Sequence, residues 1–316
     1  MFDIATISHF VIDLITSPKI SCPTPTLGGP PTFVSLTASK LGAKVGVVSK
    51  VGKDFHRHFV WLRKNNVDLS HVQVFNDSLT TSFILRYDGN KRALRLKANA
   101  PPLTLKDVCA LTNAKAIHVA PVANELSAEM VQQLRAKTDL LSIDPQGFLR
   151  DFDKTGNVKP KILRDTSFLQ NCDVLKSSID EVKLVTGNPQ LRASMRKIRE
   201  LGVKTALVTM GRKGTLAYID KDVYHIPSCK PKMLKDPTGA GDAFIGGFLA
   251  EYIGGKEPVW CCCVGSAAAS FVVEEVGAQR FGEKNEVYQR ATEIYEKGIN
   301  PLSRNHLESV CCGKNR

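Results

Sequence analysis

The sequence predicts an α/β fold of three layers, with a mainly parallel central sheet covered by helices on both faces and a small β lid. Two observations carry this reading. Runs of apolar, β-branched residues alternate with segments of helical periodicity from end to end, the pattern of a parallel sheet whose crossovers are helices. Residues 79–100 (LTTSFILRYDGNKRALRLKANA) break the rhythm with two β-type runs around an Asp88-Gly89 turn of the kind that closes a hairpin. At 316 residues and 34.6 kDa the chain can bury a large core.

Taken in order, the alternating apolar pattern of MFDIATISHFVIDLI reads as a first strand near residues 3–8. It lacks the basic leader and small-residue cleavage site of a signal peptide, so a cytoplasmic protein is expected. A Pro-rich, Gly-ended stretch, ITSPKISCPTPTLGG, follows. Together with the hairpin it predicts a small sheet standing off the main domain, built from about residues 14–30 and 76–98. Further strands are expected near 44–49, 116–120, 140–144, 174–176, 205–210 and 215–219. Helical periodicity covers about 31–41, 55–66, 128–137, 180–185, 189–201, 240–253, 258–275 and 285–297. After about residue 298 the tail loses apolar periodicity.

Composition narrows the function classes. Hydrophobic residues make up 43% and charged residues 23%, and no run approaches the roughly 18 apolar residues of a membrane span. The net charge of +12 comes from 43 Lys and Arg against 31 Asp and Glu, scattered apart from modest clusters at 86–97 and 230–235. That is not the footprint of a nucleic-acid binder. Nine cysteines, three of them consecutive at Cys261–Cys263, contain no C-x-x-C pair. Neither a zinc site nor a disulfide framework follows.

Chemistry concentrates in D-P-T-G-A-G-D, Asp236 to Asp242, immediately before a helical run. Small residues there let the backbone bend and expose amides at a helix start, which is an anion site. Asp242 falls where the helix dipole favours a carboxylate. An anion cradle beside a fixed base suits phosphoryl transfer to a hydroxyl. Capping and a simple glycine turn are the bland alternative. The segment DPTGAGDAFIGGF resembles the C-terminal signature of the ribokinase (PfkB) family of carbohydrate and nucleoside kinases. The resemblance implies Asp242 as catalytic base and Gly239, Ala240 and Gly241 as the anion hole.

The resemblance extends over roughly residues 3–298. LGGPPTFVSLTASKLGAKVG is similar to the family's first signature, with Gly28 and Gly29 before a helix and Phe33 where most members place a sugar-binding Asn. Asp13, read as standing at the end of the first strand, matches the acidic residue that grips substrate hydroxyls, a task for which a carboxylate has about four acceptor sites. In LLSIDPQGFLR, Asp144 ends a strand, where open α/β sheets bind ligands, and Gln146 and Arg150 follow it. This run resembles the inositol-kinase-like branch. On the donor side, VLKSSIDEVKLVTG places Glu181 in the family's Mg²⁺-organising position, acting through water, and Ser178 where Asn is usual. The same S-x-x-E is a capping box. ALVTMGRKGTLAYI resembles the nucleotide element, with Thr209, Gly211 and Gly214 along the triphosphate and ribose, and Ser266 stands near the implied adenine pocket, where close helix packing is the competing reading.

The resemblance thus implies an ATP- and Mg²⁺-dependent kinase, with room for a monovalent cation and a homodimer contact through the lid. Its acceptor is expected to be a sugar or cyclic polyol, myo-inositol first. A nucleoside stacked on Phe33, Phe83 or Tyr87 is the alternative, and a non-catalytic sugar- or nucleotide-binding regulator is another. Neither nucleic acid nor membrane is an expected partner.

Overall fold

The computed structural model describes residues 1–16, 24–88 and 91–302. Residues 17–23 of the Pro-rich stretch, Gly89 and Asn90 of the hairpin turn and the end of the tail therefore lie outside the described residues. The strands are β1 (Phe2–Ile7), β2 (Val11–Thr16), β3 (Pro25–Gly28), β4 (Val45–Gly52), β5 (Val67–Phe75), β6 (Ser82–Asp88), β7 (Lys91–Ala98), β8 (Ala114–Val119), β9 (Thr138–Ile143), β10 (Arg150–Phe152), β11 (Val158–Pro160), β12 (Val174–Ser178), β13 (Thr205–Thr209), β14 (Thr215–Ile219) and β15 (Asp222–Ile226). The helices are α1 (Pro30–Lys40), α2 (His56–Lys64), α3 (Leu105–Ala110), α4 (Ala128–Leu134), α5 (Ile179–Thr186), α6 (Leu191–Glu200), α7 (Ala240–Tyr252), α8 (Pro258–Val272) and α9 (Lys284–Tyr295).

Nine strands form the large sheet in the order β15-β14-β13-β12-β9-β8-β1-β4-β5. Pairing is parallel from β13 through β5 and antiparallel at β14 and β15. Strand side chains alternate between two cores, as the pleat requires. On β13, Leu207 joins the core built with α1, α7, α8 and α9, whereas Ala206 and Val208 join the core built with α4, α5 and α6. The sheet is therefore buried on both faces, which accounts for its nearly continuous apolar strands. Cys261, Cys262 and Cys263 are buried in α8 as small apolar residues, and burial holds the Cys262 thiol well above its ordinary pKa. Among the described residues, no helix is long and apolar enough to cross a membrane.

The small sheet has the order β3-β2-β6-β7. Its composition corrects one reading of the sequence: Asp13 does not end the first strand of the main sheet. The chain leaves that sheet after Ile7, turns through Ser8, His9 and Phe10, and enters the small sheet as β2. Buried side chains fix this crossing: Glu125 accepts from Ser8 Oγ at 3.2 Å and from the His9 N–H at 3.1 Å, and Ser49 Oγ accepts from the Phe10 N–H at 3.0 Å. Strands β5 and β15 extend both ends of the large sheet beyond the strands expected from periodicity.

Candidate active site

The D-P-T-G-A-G-D segment opens α7. Gly239 is the N-cap, with φ +78° and no side-chain cap. Asp236 is 2% exposed and holds the loop at both ends, accepting from the Thr238 N–H at 3.0 Å, the Thr238 hydroxyl at 2.6 Å and the Gly277 N–H at 3.0 Å. Of the three expected anion-hole residues, Ala240 also closes a turn, its N–H reaching the Pro237 carbonyl at 3.3 Å. Asp242 falls in the first turn of α7, where the dipole favours negative charge. Its Oδ1 is buried and makes no hydrogen bond. Burial raises its pKa to about 7, helped by Asp144 and Glu181 and opposed by Lys176 and Arg150. Such a carboxylate can accept a proton near neutrality.

A tyrosine of the small sheet reaches this loop. The Tyr87 hydroxyl lies 2.9 Å from Thr238 Oγ1, whose own proton goes to Asp236, so Tyr87 is the donor. A typical hydrogen bond contributes about 0.5–1.5 kcal/mol net. Tyr87→Phe is accordingly expected to slow turnover about 2- to 10-fold by loosening the loop, with acceptor KM nearly unchanged in steady-state assays.

Lys176, which the sequence reading passed over, stands among these groups. Its ammonium is 2.6 Å from Asp144 Oδ2, with side-chain exposures of 9% and 0%. Burial works against its charge, but Asp144, Asp242 and Glu181 together raise its pKa. Asp144 Oδ1 meanwhile accepts from the Gln146 N–H at 3.1 Å. At the expected substrate contact, Asp144, stands a fully buried carboxylate whose two oxygens hold Lys176 and the following turn. A lysine at a strand end ordinarily reads as solvated, which is why no local signal singled it out.

On the acceptor side, the Asp13 carboxylate lies against Gly28, where a Cβ would come within 2.1 Å of Oδ2. Asp13 pairs in register with Phe83, and the Arg150 guanidinium lies 5.7 Å from the Phe83 ring centre. Arg150 donates to Gln146 Oε1 at 2.7 Å and to the Val122 carbonyl at 2.8 Å. Gly29 is the N-cap of α1 with φ +80°. Phe33 departs from expectation. It is 1% exposed, packs with Ala243, Val272 and Ala278, and lies beneath Gly239, whose Cβ would meet its ring at 2.4 Å. Phe33 thus supports the loop from behind and offers no face for stacking. Phe83, 3% exposed, is likewise buried.

On the donor side, Ser178 and Thr209 end the adjacent parallel strands β12 and β13 in register. Ser178 and Glu181 form the capping box, with the Ser178 N–H donating to Glu181 Oε2 at 2.7 Å and the Glu181 N–H to Ser178 Oγ at 3.3 Å. Among the described residues, no group of three or more His, Cys, Asp or Glu could hold a metal ion. Glu181 would be the residue to bear on a Mg²⁺ here, through water, with the metal supplying charge neutralisation of the phosphates. Gly211 and Gly214 shape the turn into β14 with φ +59° and +89°. Ser266 fits the packing reading. Its hydroxyl donates to the Pro227 carbonyl at 3.0 Å and accepts from the Cys229 N–H at 2.9 Å, tying α8 to the loop after β15.

A mainly parallel sheet with a glycine-capped helix start and a carboxylate whose Oδ1 is buried is an arrangement suited to a kinase that acts on small hydroxyl compounds. The chain belongs to the pfkB family of carbohydrate kinases, whose sequence profile matches residues 1–285. It is 27% identical over 288 residues to the cytidine kinase of Thermococcus kodakarensis, covering 88% of this chain and 98% of that one. To the inositol 3-kinase of Oryza sativa subsp. japonica it is 29% identical over 294 residues, 87% of this chain and 68% of the other. A similar solved structure is a pyrophosphate-dependent kinase in the ribokinase family, complexed with a pyrophosphate analogue and myo-inositol. It has a TM-score of 0.78 and 25% identity, over 90% of this chain and 99% of that one.

Proposed function

We propose that this protein transfers the γ-phosphoryl group of ATP to a hydroxyl of a sugar or cyclic polyol, myo-inositol being the first acceptor to test. The observation that carries the reading is Asp242: a carboxylate with a buried, unbonded oxygen, poised near neutrality at the start of α7. Asp242 takes the acceptor's proton as its oxygen forms the new bond to phosphorus, the bond to ADP breaks, and ADP departs with the electron pair. The amides of Gly239, Ala240 and Gly241 would donate to the charge that gathers on the transferred group, Ala240 sharing its N–H with the Pro237 carbonyl. When bound, Mg²⁺ neutralises part of that charge.

The polyol assignment draws on the acceptor side, where Asp13, Gln146 and Arg150 supply polar groups while Phe33 and Phe83 are buried away from any stacking role. A nucleoside acceptor is the second reading, favoured by the alignment with the cytidine kinase over nearly all of that protein. A panel of myo-inositol, hexoses, ribose, cytidine and adenosine with ATP and Mg²⁺ separates them. Phosphorylation of inositol or a hexose is the expected result. Turnover confined to cytidine or adenosine would sink the polyol reading, and no turnover at all would point to a binding protein on this fold.

A further inference from the structure

The buried ion pair beneath the anion loop plays no part in the reaction as written above. Lys176 on β12 and Asp144 after β9 belong to neighbouring parallel strands, and their side chains meet at 2.6 Å out of water. Replacing such a pair by apolar residues is often neutral or stabilising, so stability alone is a weak reason for it. Its position is more informative. A Cβ on Gly241 would lie 2.6 Å from Lys176 Nζ and 3.0 Å from its Cε. The ammonium therefore sits against Gly241, the last of the three expected anion-hole residues, in space left by the absent side chain.

The charges around it sharpen the point. Asp144, Asp242 and Glu181 act on Lys176, and Arg150 acts on Asp242. Nearby His118 is fully buried and neutral, its pKa lowered to about 3 by burial and by the field of Lys176. Two cations, Lys176 and Arg150, stand among these carboxylates, and a cation that turns toward a phosphate adds to the attraction of the helix start. Arg150 is already bonded to Gln146 and to the Val122 carbonyl. Lysine has the compact charge and flexible stem needed to move between two partners.

We propose that Lys176 is a catalytic residue: its ammonium, held by Asp144 under Gly241, contacts an oxygen of the γ-phosphoryl group and stays with it during transfer. Asp144 is then a positioning residue that acts through Lys176. The assignment rests on the kinase reading, and its test separates the two. ADP lacks the γ-phosphoryl group, so calorimetry with ATP and ADP in the presence of Mg²⁺ reads the contact without turnover. Lys176→Met is expected to weaken ATP about 10-fold or more and ADP by less than about 3-fold, the scale of one charge-assisted contact. The double variant Lys176→Met, Asp144→Asn removes the orphaned carboxylate that could impair folding and is expected to show the same selectivity. Equal losses for ATP and ADP, or no loss for either, overturn the role of Lys176 and leave the kinase reading standing. Absence of nucleotide binding by the unaltered protein overturns both.

Discussion

Asp242→Asn is expected to lower kcat by more than about a hundredfold while nucleotide affinity stays within a few-fold, the usual scale for removing a general base. The substitution keeps the size of the side chain and deletes only its basicity, so stopped turnover with intact calorimetric ATP binding would mark a chemical defect. The same comparison across pH gives a second signature. Burial holds the Asp242 pKa at about 7, and the base must be ionised to act. In the unaltered enzyme kcat/KM should therefore rise with pH through about 7 and level off above it. That rise should vanish in the variant. Stability runs the other way, because a carboxylate with a raised folded-state pKa favours the fold most when protonated. As pH climbs from about 4 to about 7 the ionising Asp242 destabilises the native protein. Thermal unfolding at pH 8 should then show Asp242→Asn as the more stable protein, with its advantage fading toward pH 4.

Gly239→Ala should be nearly as damaging by a purely steric route. The residue has φ +78°, where a side chain costs about 1–3 kcal/mol of backbone strain. Its Cβ would also stand 2.4 Å from the Phe33 ring, and overpacking of this kind costs about 1–3 kcal/mol more. Relief requires either the ring or the helix start to move, and the loop amides move with the helix. A drop of several degrees in Tm together with a kcat loss of about 10- to 100-fold is expected. Unchanged activity would mean that the loop geometry is not critical.

What could be read in the sequence followed from local pattern. Apolar runs such as Thr205–Thr209 and the helix after D-P-T-G-A-G-D announce themselves by periodicity and small residues, and the order of motifs placed them at one end of a parallel sheet. The break between β1 and β2 was hidden, because Ser8, His9 and Phe10 continue an extended, apolar-looking run and the hydrogen bonds that redirect them come from Glu125 and Ser49, far along the chain. Strand β5 was missed because VDLSHVQVF interrupts its apolar positions with polar ones. Phe33 shows a further limit: sequence reveals that an aromatic ring stands at a given place, but whether it lines a cleft or fills the core beneath it depends on Gly239, some 200 residues away. Lys176 and Asp144 were invisible as a pair for the same reason.

The meeting of Gly241 with Lys176 carries an evolutionary consequence. Because a side chain at the loop position and an ammonium at the strand position would occupy the same few ångströms, the two sites are epistatic. A side chain acquired at 241 while the lysine is present must swing the ammonium, the far end of a flexible stem, off Asp144, whereas the same change after loss of the lysine meets nothing there. The cost of each substitution thus depends on the order in which they occur, through a contact that neither residue discloses on its own.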